Sequence, residues 1–366
     1  MKFTIDRESL IKPLQTVSGV VERRQTLPVL SNVLVKVTAE QLSMLATDLE
    51  VEMQAQTTVK GAKAGEITLP ARKFMDICRA LPDNSKIEVN IDDSRAVIRS
   101  GKSRFVLSTL PAAEFPNMET SKDVLSFSMS QGVLRHAIER THFAMAHQDV
   151  RYYLNGMYLE TADDLLRMVA TDGHRLALCE TGAKIKTKEN QGVIIPRKGV
   201  QELLRLLNDD DQPAQVHLGS NYIRITTDGT AFTSKLIDGR FPDYQNVVPD
   251  GGSKHVTCSR GLLRQALNRV SILSNEKYRG IRLQFSKGLL RIFAHNPEQE
   301  EAEEEVIIDY DGENIEIGFN VNYLLDAITA GTSEQVELFL TDPNSSCLVQ
   351  GGGEKDCKYV VMPMRL

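Results

Sequence analysis

The chain has 366 residues, 41% hydrophobic and 25% charged, an ordinary globular composition with enough length for about two or three separate cores. Its 43 basic side chains stand against 49 acidic ones, and the resulting net charge of −6 argues mildly against a nucleic-acid partner. No run of about 18 apolar residues occurs, and the start Met1-Lys-Phe-Thr-Ile-Asp-Arg7 turns polar at once, so no transmembrane helix and no signal peptide is expected.

In chain order, residues 7–17 have helical spacing. A hairpin pattern follows over 31–48: an alternating strand, a polar turn, and a second strand ending Ala46-Thr47-Asp48. Residues 71–81 read as a second helix, 86–99 as strand, and the stretch closes on Ser108-Thr-Leu-Pro-Ala-Ala-Glu-Phe-Pro116. The pattern then restarts. Residues 130–144 read as helix, and 154–172 as a hairpin ending Ala170-Thr171-Asp172. Residues 196–207 read as a helix opened by Pro196, 215–226 as strand, and the close is Ser234-Lys-Leu-Ile-Asp-Gly-Arg-Phe-Pro242. It runs a third time through 259–273, a hairpin over 279–296 ending Ala294-His295-Asn296, a helix over 320–331, strand over 335–349, and the chain end. Thr47, Thr171 and His295 are equally spaced, which marks a domain-sized repeat. The expectation is three copies of one α+β domain, at 1–120, 121–248 and 249–366, joined by polar, turn-rich linkers.

Chemistry is first suggested by Ala170-Thr-Asp-Gly-His-Arg-Leu176, which sets an acid, a histidine and an arginine around a glycine. An enzyme built on Asp172, His174 and Arg175 is one reading. Against it, the equivalent stretches after Thr47 and His295 carry no second nucleophile, metal set or phosphate loop in phase. The five cysteines (Cys78, Cys179, Cys258, Cys347, Cys357) form no CxxC pair, so neither zinc nor a disulfide framework is expected and the thiols read as buried.

Charge is segregated. Arg72, Lys73, Arg79, Arg135, Arg140, Arg197, Lys198, Arg205, Arg260, Arg264 and Arg269 all fall in helical segments, which suits a basic track inside an acidic chain. Arg95, Arg99, Lys102 and Arg104 flank Phe105 near the end of the first copy, while Glu298-Gln-Glu-Glu-Ala-Glu-Glu-Glu305 lies in the third. An acidic patch on one end and a basic one on the other suit a head-to-tail contact between copies of the chain. A repeat scaffold that binds only proteins is a further reading, and the basic helices weigh against it.

Together these strings are specific. Leu107-Ser-Thr-Leu-Pro-Ala-Ala113, Ala146-His-Gln-Asp-Val-Arg-Tyr-Tyr-Leu-Asn-Gly156, the 170–176 stretch, Asp238-Gly-Arg-Phe-Pro-Asp-Tyr244, Leu273-Ser-Asn-Glu-Lys277, Asn296-Pro-Glu-Gln-Glu-Glu-Ala-Glu-Glu304 and the end from Tyr359 to Leu366 resemble the bacterial β sliding clamps, processivity subunits of DNA polymerase III. The resemblance runs over essentially the whole chain. It implies a head-to-tail homodimeric ring of six clamp-type domains, with helices lining the hole. It also implies a non-catalytic role, with no catalytic residue, metal or cofactor, in the cytoplasm at the nucleoid.

Implied partners are duplex DNA without sequence preference, the primer–template junction, the polymerase III catalytic subunit, a clamp loader driven by ATP, and other polymerases and repair proteins, with no membrane. Carried over residue by residue, DNA contact falls on Arg24, Arg72, Gln148, Tyr152 and Tyr153. Tyr152 and Tyr153 could stack on single-strand bases or merely pack on the core. A pocket for short partner peptides falls on Leu154, Thr171, Gly173, His174, Arg175, Leu176, Pro242, Val247, Val360, Met362, Pro363, Met364, Arg365 and Leu366. The dimer interface falls on Arg95, Lys102, Arg104, Phe105, Ile272, Leu273, Glu298, Glu300, Glu301 and Glu304. Two stretches match no expected role: 351–357, read as a flexible loop, and the Lys-rich, exposed 182–191.

Overall fold

The computed structural model describes residues 1–22, 27–118, 121–187 and 190–365. One order of elements, β-α-β-β-β-β-α-β-β-β, occurs three times among them. The first copy is β1 (Lys2–Asp6), α1 (Arg7–Ser18), β2 (Asn32–Val37), β3 (Gln41–Thr47), β4 (Val51–Thr58), β5 (Gly65–Pro70), α2 (Ala71–Ala80), β6 (Lys86–Asp92), β7 (Arg95–Ser100) and β8 (Ser103–Ser108). The second is β9 (Asp123–Ser130), α3 (Gln131–Glu139), β10 (Gly156–Ala162), β11 (Leu165–Thr171), β12 (Arg175–Gly182), β13 (Gln191–Pro196), α4 (Arg197–Leu206), β14 (Pro213–Gly219), β15 (Tyr222–Thr227) and β16 (Thr230–Lys235). The third is β17 (Lys254–Ser259), α5 (Arg260–Ser271), β18 (Gly280–Ser286), β19 (Leu289–His295), β20 (Glu301–Ile307), β21 (Ile315–Asn320), α6 (Val321–Ala330), β22 (Gln335–Leu340), β23 (Cys347–Gly351) and β24 (Cys357–Val361). The α+β repeat read from the sequence is the observed fold.

Local chemistry accounts for the elements. Helix α2 buries Ala71, Phe74, Met75 and Cys78, and α5 buries Leu263, Ala266, Leu267 and Val270, the one-face spacing of an amphipathic helix. The Ser259 and Asn320 side chains accept backbone N–H groups at the starts of α5 and α6. Two helix boundaries differ from expectation. Residues 130–144 are not one helix: the Thr141 hydroxyl donates to the Ala137 carbonyl at 2.7 Å, α3 stops at Glu139, and a short 3-10 turn follows at His142–Ala144. Pro196 does not open α4; it ends β13, an edge strand where a missing N–H costs no ladder bond, opposite Gly156. The strand stretches 86–99, 215–226 and 335–349 are each two strands rather than one.

Among the described residues all strand pairing is antiparallel. One eight-stranded sheet runs β5-β2-β3-β4-β16-β15-β14-β9, and a second runs β13-β10-β11-β12-β24-β23-β22-β17. Two four-stranded sheets, β1-β6-β7-β8 and β20-β19-β18-β21, complete the set among the described residues. The long sheets join strands of successive repeats, β4 to β16 and β12 to β24. Two compact units result, Met1–Gly132 with Lys198–Leu236 and Val133–Arg197 with Ile237–Leu366, and the middle repeat contributes to both.

The junctions share one register. Phe232 of β16 faces Met53 of β4, and Tyr359 of β24 faces Ala177 of β12; both aromatic side chains are fully buried. Strands β8 and β20 occupy the same places in their own repeats, yet each is the last strand of its sheet. On β8 the side chains are correspondingly uncovered: Val106 is 40% exposed where its counterparts Thr233 and Val360 are buried, and Phe105 is half-buried where Phe232 and Tyr359 are fully buried.

Gly156 begins β10 under the opposing strand. A Cβ there would lie 2.6 Å from the Ile195 carbonyl oxygen and 2.8 Å from Ile194 Cγ2. Because backbone cannot swing aside as a side-chain tip can, Gly156→Ala is expected to cost about 1–3 kcal/mol. A thermal melt should show the midpoint fall by several degrees; an unchanged midpoint would mean that β13 yields freely.

Candidate functional site

The stretch after Thr171 is a turn built from its own side chains. The Thr171 hydroxyl donates to the Arg175 carbonyl at 2.6 Å and accepts the Gly173 N–H, while Asp172 Oδ1 accepts the N–H groups of His174 and Arg175 at 2.9 and 3.0 Å. Thr47 and Asp48 make the same four bonds, to Val51, Leu49, Glu50 and Val51. The Thr-Asp pair is therefore a shared way of ending a strand.

Arg175 is equally engaged. Its guanidinium bonds Asp172 at 3.1 Å, Asp326, and the Phe143 carbonyl at 2.8 Å, and lies 4.6 Å from the centre of the Tyr323 ring. The His174 ring stacks on Tyr323. Acid and base are thus committed to structure, which removes the basis for an enzyme at this turn.

What the turn does enclose is a cavity of about 190 Å³. Leu176 on β12 and Val360 on β24 face one another across the ladder and form its wall with Leu154, Pro242, Tyr244, Val247 and Met362. Behind them lies a cluster of Val169, Leu178, Ile194, Phe241 and Leu348. Tyr244 is held by its hydroxyl, which donates to Glu160, and Glu160 is in turn bridged by Arg167 to Glu180. Burial, and then that carboxylate, push the Tyr244 hydroxyl well above the usual phenol range, so it remains a donor.

At the mouth, Arg151 makes a two-pronged bond to Asp149 at 3.0 and 2.9 Å and donates to the Asp172 carbonyl. Those bonds hold the Asp149 carboxyl down at about 2, so the pair persists at neutral pH. Gly173 sits at φ 87°, and a Cβ on it would lie 3.0 Å from Arg151 Nη1, so glycine serves both the turn and the close approach.

Of the residues assigned to a peptide pocket, Leu154, Thr171, Gly173, Arg175, Leu176, Pro242, Val247, Val360 and Met362 line this cavity. Met364 and Arg365 instead line a second one, of about 440 Å³, with Tyr278, His295, Asn296 and Pro297. His174 and Pro363 border neither, and Leu366 lies outside the described residues. Arg151, Tyr153 and Tyr244 line the first cavity without having been assigned to it. The strand alternation around 154 and 171 gives no hint of them, because loops bring them in.

Of the DNA positions, Arg24 is outside the described residues and Arg72 is exposed beside Arg79 and Arg205. Gln148, Tyr152 and Tyr153 share one loop. Tyr152 is 57% exposed and meets Tyr153 edge to face, whereas Tyr153 turns toward the cavity. Not every helical cation faces outward. Arg140 bonds Glu354, Cys357 and Thr332, Arg197 donates to the Met145 carbonyl, and Arg260 to the Ser333 carbonyl. These three are structural, which corrects the reading of every helical cation as part of one track.

Among the interface positions, Arg95, Lys102 and Arg104 are exposed on or beside β7 and β8, with Phe105 half-buried. Ile272 is 74% exposed at the end of α5, next to half-buried Leu273. Glu298, Glu300 and Glu301 are exposed, and Glu304 pairs with Arg269 at 2.5 Å. The 351–357 loop is no loose loop: the Glu354 carboxylate accepts the N–H groups of Thr332 and Ser333, and Gly351 and Cys357 are buried. In 182–191, Lys184 and Lys186 are exposed as expected, around buried Ala183 and Ile185.

Three family models match the chain in succession. They are the DNA polymerase III beta subunit N-terminal domain over residues 1–119, the central domain over 128–243 and the C-terminal domain over 245–365. The beta sliding clamp of Pseudomonas putida is 57% identical over 367 aligned positions, and that of Escherichia coli K12 is 51% identical, each alignment covering 100% of both chains. A crystal structure of the sliding clamp (DNA polymerase III subunit beta) of Pseudomonas aeruginosa bound to griselimycin matches with a TM-score of 0.98 at 57% identity, covering 100% of each chain.

Proposed function

Because this chain belongs to the DNA polymerase III beta subunit family, a family of sliding clamps that tether the polymerase to DNA and catalyse no reaction, we propose that two copies close head to tail into a ring around duplex DNA. The observation that carries this is the pair of uncovered strands at positions filled in the other repeats.

The repeat also supplies a register. Phe105 faces Ile98 as Phe232 faces Ile225, and Ala302 faces Ala294 as Met53 faces Ala46 and Ala177 faces Ala170. Phe105 of one copy then lies opposite Ala302 of the other, with Arg104 opposite Glu303. Strand β20 presents Glu301, Glu303 and Glu305 on one exposed face, which repel a second β20 but suit the basic β8 edge, while Glu304 is held by Arg269. The domain limits 1–120, 121–248 and 249–366 belong to this reading, each repeat being a structural unit of the ring although its sheets are shared.

Inside such a ring, Arg72 and the other outward cations meet phosphates without reading bases, which permits sliding. Arg24, Gln148 and Tyr152 belong to the same DNA-contacting set by family resemblance, and Tyr153, which lines the cavity, is divided between DNA and the cavity mouth. The cavity around Leu176 and Val360 receives short apolar peptide anchors from the polymerase, the clamp loader and repair proteins. His174, Pro363, Met364, Arg365 and Leu366 belong to the same peptide-contacting set, although Met364 and Arg365 line the second cavity rather than the first. Flexible Met362 lets one wall accept many partners. The clamp works in the cytoplasm at the nucleoid and is opened by an external ATP-driven loader.

The test is retention. Loaded protein should stay on nicked circular DNA and run off the same DNA once it is linearised. Equal loss from both would overturn the topological reading.

A further inference from the structure

We propose that Cys179 and Cys357 form an oxidation site, in which a peroxide converts the two thiols into a disulfide linking β12 to β24. The two residues are direct cross-strand partners in the ladder that walls the peptide cavity. Backbone bonds run from Met362 N to the His174 carbonyl at 2.9 Å and from Glu180 N to the Asp356 carbonyl at 2.7 Å. The hydrogen-bonded pairs therefore fall on residues 174 and 180, and Cys179 and Cys357 occupy a narrow, non-hydrogen-bonded pair, where Cα atoms stand about 4.5 Å apart. That separation lies within the span a disulfide bridges. Both Sγ atoms and an Asp356 carboxylate oxygen lie within 4.8 Å of one another.

The surroundings make the two thiols unequal. Arg140 Nη1 lies 3.4 Å from Cys357 Sγ, in reach of a thiolate. The hydrogen bond from Cys179, and then Arg140, hold the Cys357 thiol below its usual range, whereas Cys179, bonded to that sulfur and buried, is raised. The same guanidinium, 3.9 Å from Asp356, disfavours a metal dication at the trio. Cys179 and Cys357 are both buried, so hydrogen peroxide reaches them on local opening of this end of the ladder, where Lys355 and Asp356 are exposed.

The chemistry balances. The Cys357 thiolate attacks one peroxide oxygen, the O–O bond breaks, and a sulfenic acid forms with loss of one water after proton uptake. The Cys179 thiol then attacks that sulfur, the S–O bond breaks, a second water leaves, and the disulfide remains. In sum, two thiols and one hydrogen peroxide give one disulfide and two waters.

The experiment treats the reduced full-length protein with hydrogen peroxide, alkylates it, and maps its peptides without reduction. A Cys179–Cys357 linked peptide, lighter by two hydrogens than its parts, should appear while Cys78, Cys258 and Cys347 stay alkylatable after denaturation. With Cys179→Ser, Cys357 should be trapped by dimedone as the sulfenic acid; with Cys357→Ser, Cys179 should stay reduced. The proposal is overturned if no linked peptide forms under peroxide that fully oxidises free cysteine in the same tube. It is equally overturned if the other three cysteines oxidise as fast.

Discussion

Deleting residues 362–366 is expected to abolish capture of partner peptides and leave the dimer intact. Met362 forms part of the cavity wall, and its N–H holds the tail to the His174 carbonyl at 2.9 Å; Met364 is held in turn to the Gly318 carbonyl. The β20 and β8 edges are untouched by the deletion. Loss of a central apolar wall costs about 2 kcal/mol or more, so the dissociation constant for a labelled clamp-binding segment of the polymerase should rise at least about 30-fold in fluorescence anisotropy. Met362→Ala keeps the backbone bond and should lose less. Unchanged affinity after the deletion would remove the tail from the site, and a monomeric product would place it in the dimer contact instead.

Arg104→Glu is expected to dissociate the dimer. In the register supplied by the two internal junctions, the new carboxylate stands opposite Glu303, beside Glu301 and Glu305. Like charges brought together in an interface cost several kcal/mol, about 100-fold or more in affinity at each seam, and a two-membered ring has two seams. Sedimentation velocity at micromolar concentration should show monomer. Adding Glu303→Arg in the same chain should restore the dimer, since each seam again carries opposite charges. Failure of the pair to restore it, with Arg104→Glu alone monomeric, would shift the register rather than the identity of the strands.

Most of the secondary structure was legible because it rests on local rules. Period-2 alternation gave the hairpins, and apolar residues at helical spacing gave α2, α4 and α5. The Ala-Thr-Asp endings marked strand ends because their hydrogen bonds are made within five residues. What was not legible depends on partners far along the chain. That Arg140 turns inward is decided by Glu354 and Cys357, and that Arg151 caps the cavity is decided by Gly173. Tyr244 gained its place through Glu160. The fusion of sheets across repeats was equally invisible, since alternation sets which face a residue takes but not which strand lies beside it.

The interleaving of the two compact units has a consequence for durability. The backbone passes between them at 132–133, again at 197–198 and again at 236–237. A single linker, once hydrolysed, would release one half from the other. Here one cleavage leaves two covalent crossings, and the two fragments stay joined by strand pairing inside a unit, β4 with β16 or β12 with β24. For a protein whose task is to stay threaded on a chromosome through many rounds of partner exchange, that redundancy means one cut peptide bond need not cost it its grip.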